Sequence, residues 1–299
     1  MKTYHDPVLA QQAIEGLNIA AGGRYVDATY GGGGHSELIL QQLQEEGRLI
    51  VFDQDAEAGA NVLADKRILF LNHNFRFLKN FLKLHGMVPV DGILADLGVS
   101  SHQFDQASRG FSTRFNGPLD MRMNQASGIT AADVVNQYTV EKLMEIFQTY
   151  GELPNTRKIA YSIEQQRKNE KITTTEKLKE VLSRFAPRGK ENKFFAQVFQ
   201  ALRIEVNQEL EALKEFLMHS AGVLKPGGRL VVISYHSLED RLVKNFMKAG
   251  NFTGELEKDF FGNVISPMQP VGKLIVPHED EIERNSRARS AKLRIACKK

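Results

Sequence analysis

Three short stretches carry side chains whose types and spacing could hold a ligand. The first is Asp27-Ala28-Thr29-Tyr30-Gly31-Gly32-Gly33-Gly34-His35. Its glycines let the backbone approach a bound group closely, and the helix that follows presents a positive N-terminus. The second is Asp53, twenty residues beyond Gly33, a carboxylate that could accept both hydroxyls of a ribose. The third is Asp96, in Asp96-Leu97-Gly98-Val99-Ser100-Ser101. Taken singly, each has an ordinary structural explanation. The glycines could form an empty tight turn, and the two acids could cap helices or turns, a job that neighbouring Asp55 could do as well. Taken together at one sheet edge, they point to a nucleoside-type ligand.

The order of apolar runs supplies that edge. Arg24–Ala28, Leu49–Phe52, Ile68–Leu71 and Ile93–Ala95 read as buried strands, and Ser36–Leu43, Ala56–Leu63 and Phe75–Leu84 as the helical stretches between them. This alternation predicts an α/β fold, a parallel sheet covered on both faces. Ligands of such sheets bind beyond the carboxyl ends of the strands, where Asp53 and Asp96 fall. The rhythm returns in the amphipathic Asn207–Val223, which Lys225-Pro226-Gly227-Gly228 ends. A strand at Arg229–Ser234 and a helix at Ser237–Met247 follow, with Ser237 and Asp240 as its expected capping pair. Lys273–Val276 and Lys292–Ala296 are the expected last strands. Between the halves, Val140–Tyr150, Thr156–Lys168, Thr174–Phe185 and Phe194–Arg203 look helical. They predict an inserted helical domain at 106–204 within a discontinuous sheet domain of 1–105 and 205–299.

Composition narrows the class. The chain has 299 residues, 42% hydrophobic and 25% charged, enough for a large core and unlike a fibrous or disordered protein. No apolar run reaches the roughly 18 residues of a membrane helix, and Met1–Leu9 has no signal-peptide core. A single cysteine, Cys297, excludes an internal disulfide framework and any multi-cysteine zinc site. No metal is expected, because His236 with Glu239 is not a convincing pair and no H-E-x-x-H spacing occurs. These features predict a cytoplasmic protein with no membrane partner. The net charge of +3 conceals a segregation. Gln106–Arg203 holds 16 basic and 10 acidic residues, Arg284–Lys299 has 7 basic and no acidic ones, and the remainder is net −10. Two basic portions on an acidic body fit a polyanionic partner, as they also fit a solvated helix surface and a loose tail.

The glycine loop lacks the G-x-G-x-x-G spacing of dinucleotide binding. It is similar to D-x-G-x-G-x-G, the first loop of Class I methyltransferases, with Thr29 at the first glycine position. Six further blocks agree with GGGGHS (31–36): DGILADLGVSS (91–101), RGFS (109–112), GPLDMRM (117–123), FQALRIEVNQEL (199–210), LKPGGRLVVISYHSLEDRLVK (224–244) and NSRARSAKLRIA (285–296). In this order they resemble the MraW family of ribosomal RNA small-subunit methyltransferases, nearly end to end. The resemblance implies a Class I (Rossmann-like) sheet with an inserted all-helical domain, and S-adenosylmethionine as cofactor. It implies N4-methylation of one cytidine of 16S rRNA, in the decoding region of the small ribosomal subunit. It also implies cofactor contacts at Gly33, Gly34, His35, Asp53, Phe75, Asp96 and Gln103. The chain departs from the family pattern at Ser286, where many relatives have proline, and at Phe194–Val198. Oligomeric state, monomer or homodimer, stays open.

Methyl transfer to an exocyclic amine depends on placement of the reactants and on an acceptor for the amine protons. Other amino-methyltransferases carry Asp/Asn-Pro-Pro-aromatic after strand four; here Asp96-Leu97-Gly98-Val99 keeps only the acid. Asp96 is therefore the candidate catalytic residue, with the carbonyls of Leu97 or Gly98 as possible helpers. Methylation at cytosine C5 would need a cysteine nucleophile, and Cys297 lies in the basic tail. Tyr235 and His236 follow strand five and are candidates for the target pocket or for simple packing. Arg109, Arg114 and Arg122 interleave with Phe111 and Phe115, a pattern suited to phosphates and unstacked bases, or to a core edged by arginines. Three rivals remain: a Class I enzyme acting on DNA or a small molecule, a binding-only ribosome-assembly factor, and a nicotinamide dehydrogenase. The intact loop and acids disfavour the second, and the loop spacing disfavours the third.

Overall fold

Successive residues of a strand point to opposite faces of a sheet, so a strand apolar throughout must be covered on both sides. The computed structural model describes residues 7–126 and 128–299. The opening Met1–Asp6, part of the stretch read for a signal peptide, lies outside the described residues. In chain order the elements begin with α1 (Ala10–Leu17), β1 (Arg24–Asp27), α2 (Gly34–Gln42), β2 (Arg48–Phe52), β3 (Ile68–Leu71), α3 (Leu78–Leu84) and β4 (Val90–Asp96). Then come α4 (Ser101–Asp105), α5 (Ala131–Gln137), α6 (Val140–Thr149), α7 (Thr156–Asn169), α8 (Thr175–Leu182) and α9 (Glu191–Asn207). The chain finishes with α10 (Glu209–Val223), β5 (Leu224–Ser234), α11 (Ser237–Ala249), β6 (Met268–Pro270), α12 (Glu279–Arg284) and β7 (Lys292–Lys298). Two compact units result: one runs to Gly98 and resumes at Leu210, and the other is Val99–Glu209.

The first unit is an α/β sheet of order β3-β2-β1-β4-β5-β7-β6. Strands β1 to β5 pair in parallel, whereas β7 runs antiparallel to both β5 and β6. Strand order reverses between β1 and β4, which opens a crevice at their carboxyl ends. Both faces are apolar, as the uninterrupted runs predict. Tyr25, Leu49, Val51, Leu94, Val231 and Ile233 pack with Ile14 and Leu17 of α1 and Ile39 of α2. Val26, Ile50, Phe52, Ile93 and Val232 pack on the opposite face with Leu78 of α3, Phe216 of α10 and Phe246 of α11. Each such side chain contributes about 1.5–3 kcal/mol by leaving water.

The second unit is helical and has its own core, including Leu143, Phe147, Ile159, Ile163, Leu178 and Leu202. Thr130, Thr139 and Thr174 accept from backbone N–H groups at the starts of α5, α6 and α8, which fixes where those helices begin. Helix α5 adds an element that the sequence reading does not contain. No helix among the described residues is long and apolar enough to cross a membrane.

Several local expectations differ from the structure for identifiable reasons. Lys225-Pro226-Gly227-Gly228 does follow the end of α10, but it lies within β5, where pairing with β4 slips register and Gly227 adopts φ 80°. Helix α10 starts at Glu209 because Gln208 is left-handed, with φ 50°. Helix α11 is capped by His236 with Glu239, not by Ser237 with Asp240. Asp240 instead accepts from Arg294 Nε at 2.7 Å. Ala56–Asn61 is a 3-10 turn rather than an α-helix, and a further 3-10 turn, Phe75–Phe77, precedes α3. Lys273–Val276 makes only a bridge between Ile275 and Leu293, and the edge strand is the three-residue β6, which tolerates Pro270.

Backbone proximity explains two of the glycine motifs in the helical unit. A Cβ on Gly117 would sit 1.9 Å from the Ala107 carbonyl oxygen, and one on Gly110 would sit 2.3 Å from that of Pro118. Neither neighbour can yield, because both are main chain. Gly117→Ala should therefore cost on the order of 3 kcal/mol. Denaturant unfolding of the two proteins measures it, and an unchanged midpoint would contradict this account of the motif.

Candidate active site

The glycine loop is held from beneath by a buried carboxylate. Asp27, the last residue of β1, accepts from Ser36 Oγ at 2.6 Å and from the Thr29 N–H at 3.1 Å. The two ends of the loop are thereby tied to one side chain. Burial pushes the Asp27 carboxyl up from its ordinary value, against the Ser36 hydrogen bond and the nearby His35. Within the loop, Gly33 has φ 81°, and a Cβ there would lie 2.6 Å from the Tyr30 hydroxyl. Any other residue would be strained in conformation and crowded in space. Helix α2 then begins at Gly34 without a side-chain cap.

His35 sits in the first turn of α2. Its Nε2 lies 3.0 Å from the Val8 carbonyl, which can only accept, so Nε2 carries the proton. The other ring nitrogen, Nδ1, faces Asp96 Oδ2 at 3.9 Å. Asp96 closes β4: its N–H donates to Thr29 Oγ1 at 2.7 Å, and its Oδ1 accepts from the Tyr235 hydroxyl at 2.8 Å. Burial raises Asp96 to about 6, against the pull of His35 and Tyr235.

Asp53 follows β2. Its Oδ2 accepts from the Gly31 N–H and its Oδ1 from the Asp55 N–H, each at 2.8 Å. Asp55 is the residue that caps the next turn, through the Glu57 N–H. Asp53 is thus spared the capping role, and each of its oxygens keeps a second lone pair. Burial raises it to about 6, against the two backbone hydrogen bonds. Phe75 stands beyond β3, half-buried, with its ring edge-on to Phe216 at 5.2 Å between centroids. Asn74, which caps that turn, donates to Gln54 Oε1 at 2.7 Å.

Strand ends and strand order bring Gly33, Gly34, His35, Asp53, Asp96 and Phe75 to the carboxyl edge of one parallel sheet. Gln103 belongs to the helical unit, where it is buried in α4 and forms a capping box with Ser100. The sequence reading missed Asp27, Thr29 and Ser36 as the scaffold of the loop. A small hydroxyl residue at the first glycine position of the motif was the available signal. It also missed the bond between Tyr235 and Asp96, which sequence spacing does not report. Arg109 differs from the phosphate-binding expectation. It is fully buried and donates to the carbonyls of Arg122 and Met123 at 3.1 and 3.0 Å. Arg122 pairs with Asp120 at 2.8 Å, which leaves Arg114 and Phe115 as the exposed members of that cluster.

A sheet of this order with a reversed seventh strand, carrying a glycine loop and two acids on its carboxyl edge, defines a Class I methyltransferase. Residues 2–299 match the MraW methylase family, and the chain belongs to it. The chain is 59% identical over 297 residues to Ribosomal RNA small subunit methyltransferase H of Parabacteroides distasonis, covering 99% of this chain and 97% of that one. Its identity to the protein of the same name from Bacteroides fragilis is 58% over 298 residues, with 99% and 98% covered. For that of Flavobacterium johnsoniae it is 56% over 295 residues, again with 99% and 98% covered.

The raised acids have a measurable cost. Asp96 moves from 3.8 to about 6 on folding, so between those values the folded protein holds a proton that the unfolded chain has released. Its contribution is therefore least unfavourable below pH 4 and worsens as pH rises to 6. Acids with lowered values, such as Asp240 beside Arg294, act in the opposite sense, so the test is a difference. Wild type should gain roughly 2 kcal/mol relative to Asp96→Asn between pH 7 and pH 4 in the ligand-free protein. Denaturation curves at the two pH values measure this, and a difference independent of pH would contradict it.

Proposed function

We propose that this protein transfers a methyl group from S-adenosylmethionine to N4 of one cytidine of 16S rRNA, in the decoding region of the small ribosomal subunit. The observation that carries the reading is the set of unused acceptors at the carboxyl edge, on a chain whose relatives are named as small-subunit rRNA methyltransferases. The residues suit that cofactor chemically. Asp53 keeps one lone pair on each oxygen for the two ribose hydroxyls. Gly33 and Gly34 let main chain approach the ligand, and Phe75 offers an apolar ring for the adenine. Asp96 Oδ2 accepts an N–H group that a ligand brings. Gln103 is assigned as the remaining cofactor contact.

When bound, the cofactor supplies an electrophilic methyl group on a sulfonium. The chain's own part is orientation and proton handling. Asp96, ionised at neutral pH, accepts a hydrogen bond from the exocyclic amine, which draws the nitrogen lone pair toward the methyl carbon. As the N–C bond forms and the S–C bond breaks, the amine loses one proton, and Asp96 is the acceptor for it. RNA recognition is assigned to the helical unit, where Arg114 and Phe115 are an adjacent exposed cation and ring, and to the basic segment from Arg284 to Lys299. The reaction is placed in the cytoplasm.

Nucleoside mass spectrometry of 16S rRNA tests this, after incubation with the cofactor and small subunits from a strain lacking the gene. N4-methylcytidine at one site is expected. Proven cofactor binding without any new methylated nucleoside would favour a DNA substrate or a binding-only role. Asp53→Ala should weaken cofactor binding by about 10- to 100-fold, through loss of two charge-assisted hydrogen bonds. Calorimetry of wild type should show affinity falling as pH drops below about 6, where Asp53 protonates.

A further inference from the structure

We propose that Tyr235 is a positioning residue for the methyl transfer: its hydroxyl engages one oxygen of Asp96, so that the other is presented to the reacting groups. This rests on the reading of Asp96 given above. Strand β5 pairs in parallel with β4, with Asp96 opposite Ile233, and Tyr235 emerges two residues further along. Its hydroxyl donates to Asp96 Oδ1 at 2.8 Å. The Tyr235 main chain is itself anchored, because its N–H donates to Oε2 of the buried Glu239 at 3.0 Å. The same oxygen accepts from the His236 N–H at 3.4 Å, and His236 Nδ1 accepts in return from the Glu239 N–H at 3.4 Å. The start of α11 therefore fixes the phenol from behind. Gly98 lies beside the ring, its Cβ position 3.6 Å from Tyr235 Cδ2, an ordinary contact distance.

Asp96 is thus gripped at two points, the Thr29 hydroxyl on its main chain and the Tyr235 hydroxyl on Oδ1. Its Oδ2 faces His35 at 3.9 Å, too long for a direct hydrogen bond. That oxygen keeps both of its lone pairs for an incoming N–H, whereas Oδ1 has given one to the phenol. A carboxylate held by one oxygen loses its freedom to rotate, and restricted orientation of this kind is what amine transfer requires. The surrounding charges favour the arrangement. Asp27 from β1 and Glu239 from α11 act on Asp96 from one side of the balance, and His35 from α2 acts from the other. Burial above all, and then Asp96 and Glu239 with Glu281 from α12, oppose ionisation of Tyr235, so the phenol remains a donor over the working pH range. Phenylalanine would fill the same space and donate nothing.

Tyr235→Phe keeps the ring packing and removes only the donor. The first readout needs no substrate: carbon-13 NMR of the carboxyl groups in ligand-free protein, with the Asp96 signal assigned by its loss in Asp96→Asn. Without the phenol the carboxylate is less well solvated, so its titration midpoint should move up by about one pH unit. The second readout is methylation of small subunits. Here kcat should fall about tenfold, KM for the subunit should stay within about twofold, and the acid limb of kcat should move with the NMR midpoint. An unmoved Asp96 midpoint, or a kcat within twofold of wild type, overturns the proposal and reduces Tyr235 to packing. Should wild type make no methylated nucleoside while the midpoint still moves, the methyl-transfer reading fails and this role fails with it, although the contact is real.

Discussion

Three carboxylates, Asp27, Asp53 and Asp96, are drawn out of water at one edge of the parallel sheet, and Asp27 makes the other two harder to ionise. Most of the local structure can be read as a response to that constraint. Asp27 receives a serine hydroxyl and a backbone N–H, Asp53 receives two backbone N–H groups, and Asp96 receives a phenol. Backbone donors in such number require a loop that curls over the strand ends, which explains why glycines with positive φ occupy it. The acids thus shape the loop as much as the loop frames the acids.

The sheet makes this burial tolerable. Five parallel strands, sandwiched between two apolar layers, hold the strand ends at fixed spacing. Parallel order matters because it puts every carboxyl terminus on one side. The helical unit stands on its own core, so its sequence can answer to other demands without loosening the sheet. Arg109 illustrates how those demands differ: a cation that looks suited to phosphate is used to bind two main-chain carbonyls and close a loop.

The parts legible in the sequence were those governed by short-range rules. Runs of three or four apolar residues ending in Asp53 or Asp96 marked buried strands and their carboxyl ends, and amphipathic periodicity marked α6 to α9. What was not legible depended on partners far along the chain. Asp240 looks like a helix cap until Arg294, 54 residues away, claims it and leaves the cap to His236. The segment Lys225–Gly228 reads as a stop, yet its neighbours Leu224 and Arg229 pair with Val90 and Gly92, which holds it in the strand as a register slip. Strand β6 is three residues with a proline, too short for any periodic signal, and only β7 makes it a strand. Tyr235 and Asp96 are separated by 139 residues, and only the parallel crossover reveals that they touch.

A site built this way is least stable when empty. Apolar residues at positions 53 and 96 would spare the fold the cost of desolvating two carboxylates, so stability alone gives no reason for acids there. Donors supplied by a ligand would offset that cost, since the unused lone pairs on Asp53 and Asp96 Oδ2 are what hydroxyl and N–H groups satisfy. Ligand binding and local stability are then two measures of the same interactions, because whatever binds the folded state alone also stabilises it. The free energy withheld at this edge in the empty protein is what allows the acids to discriminate a hydroxyl-rich, N–H-bearing ligand from an apolar one of similar size.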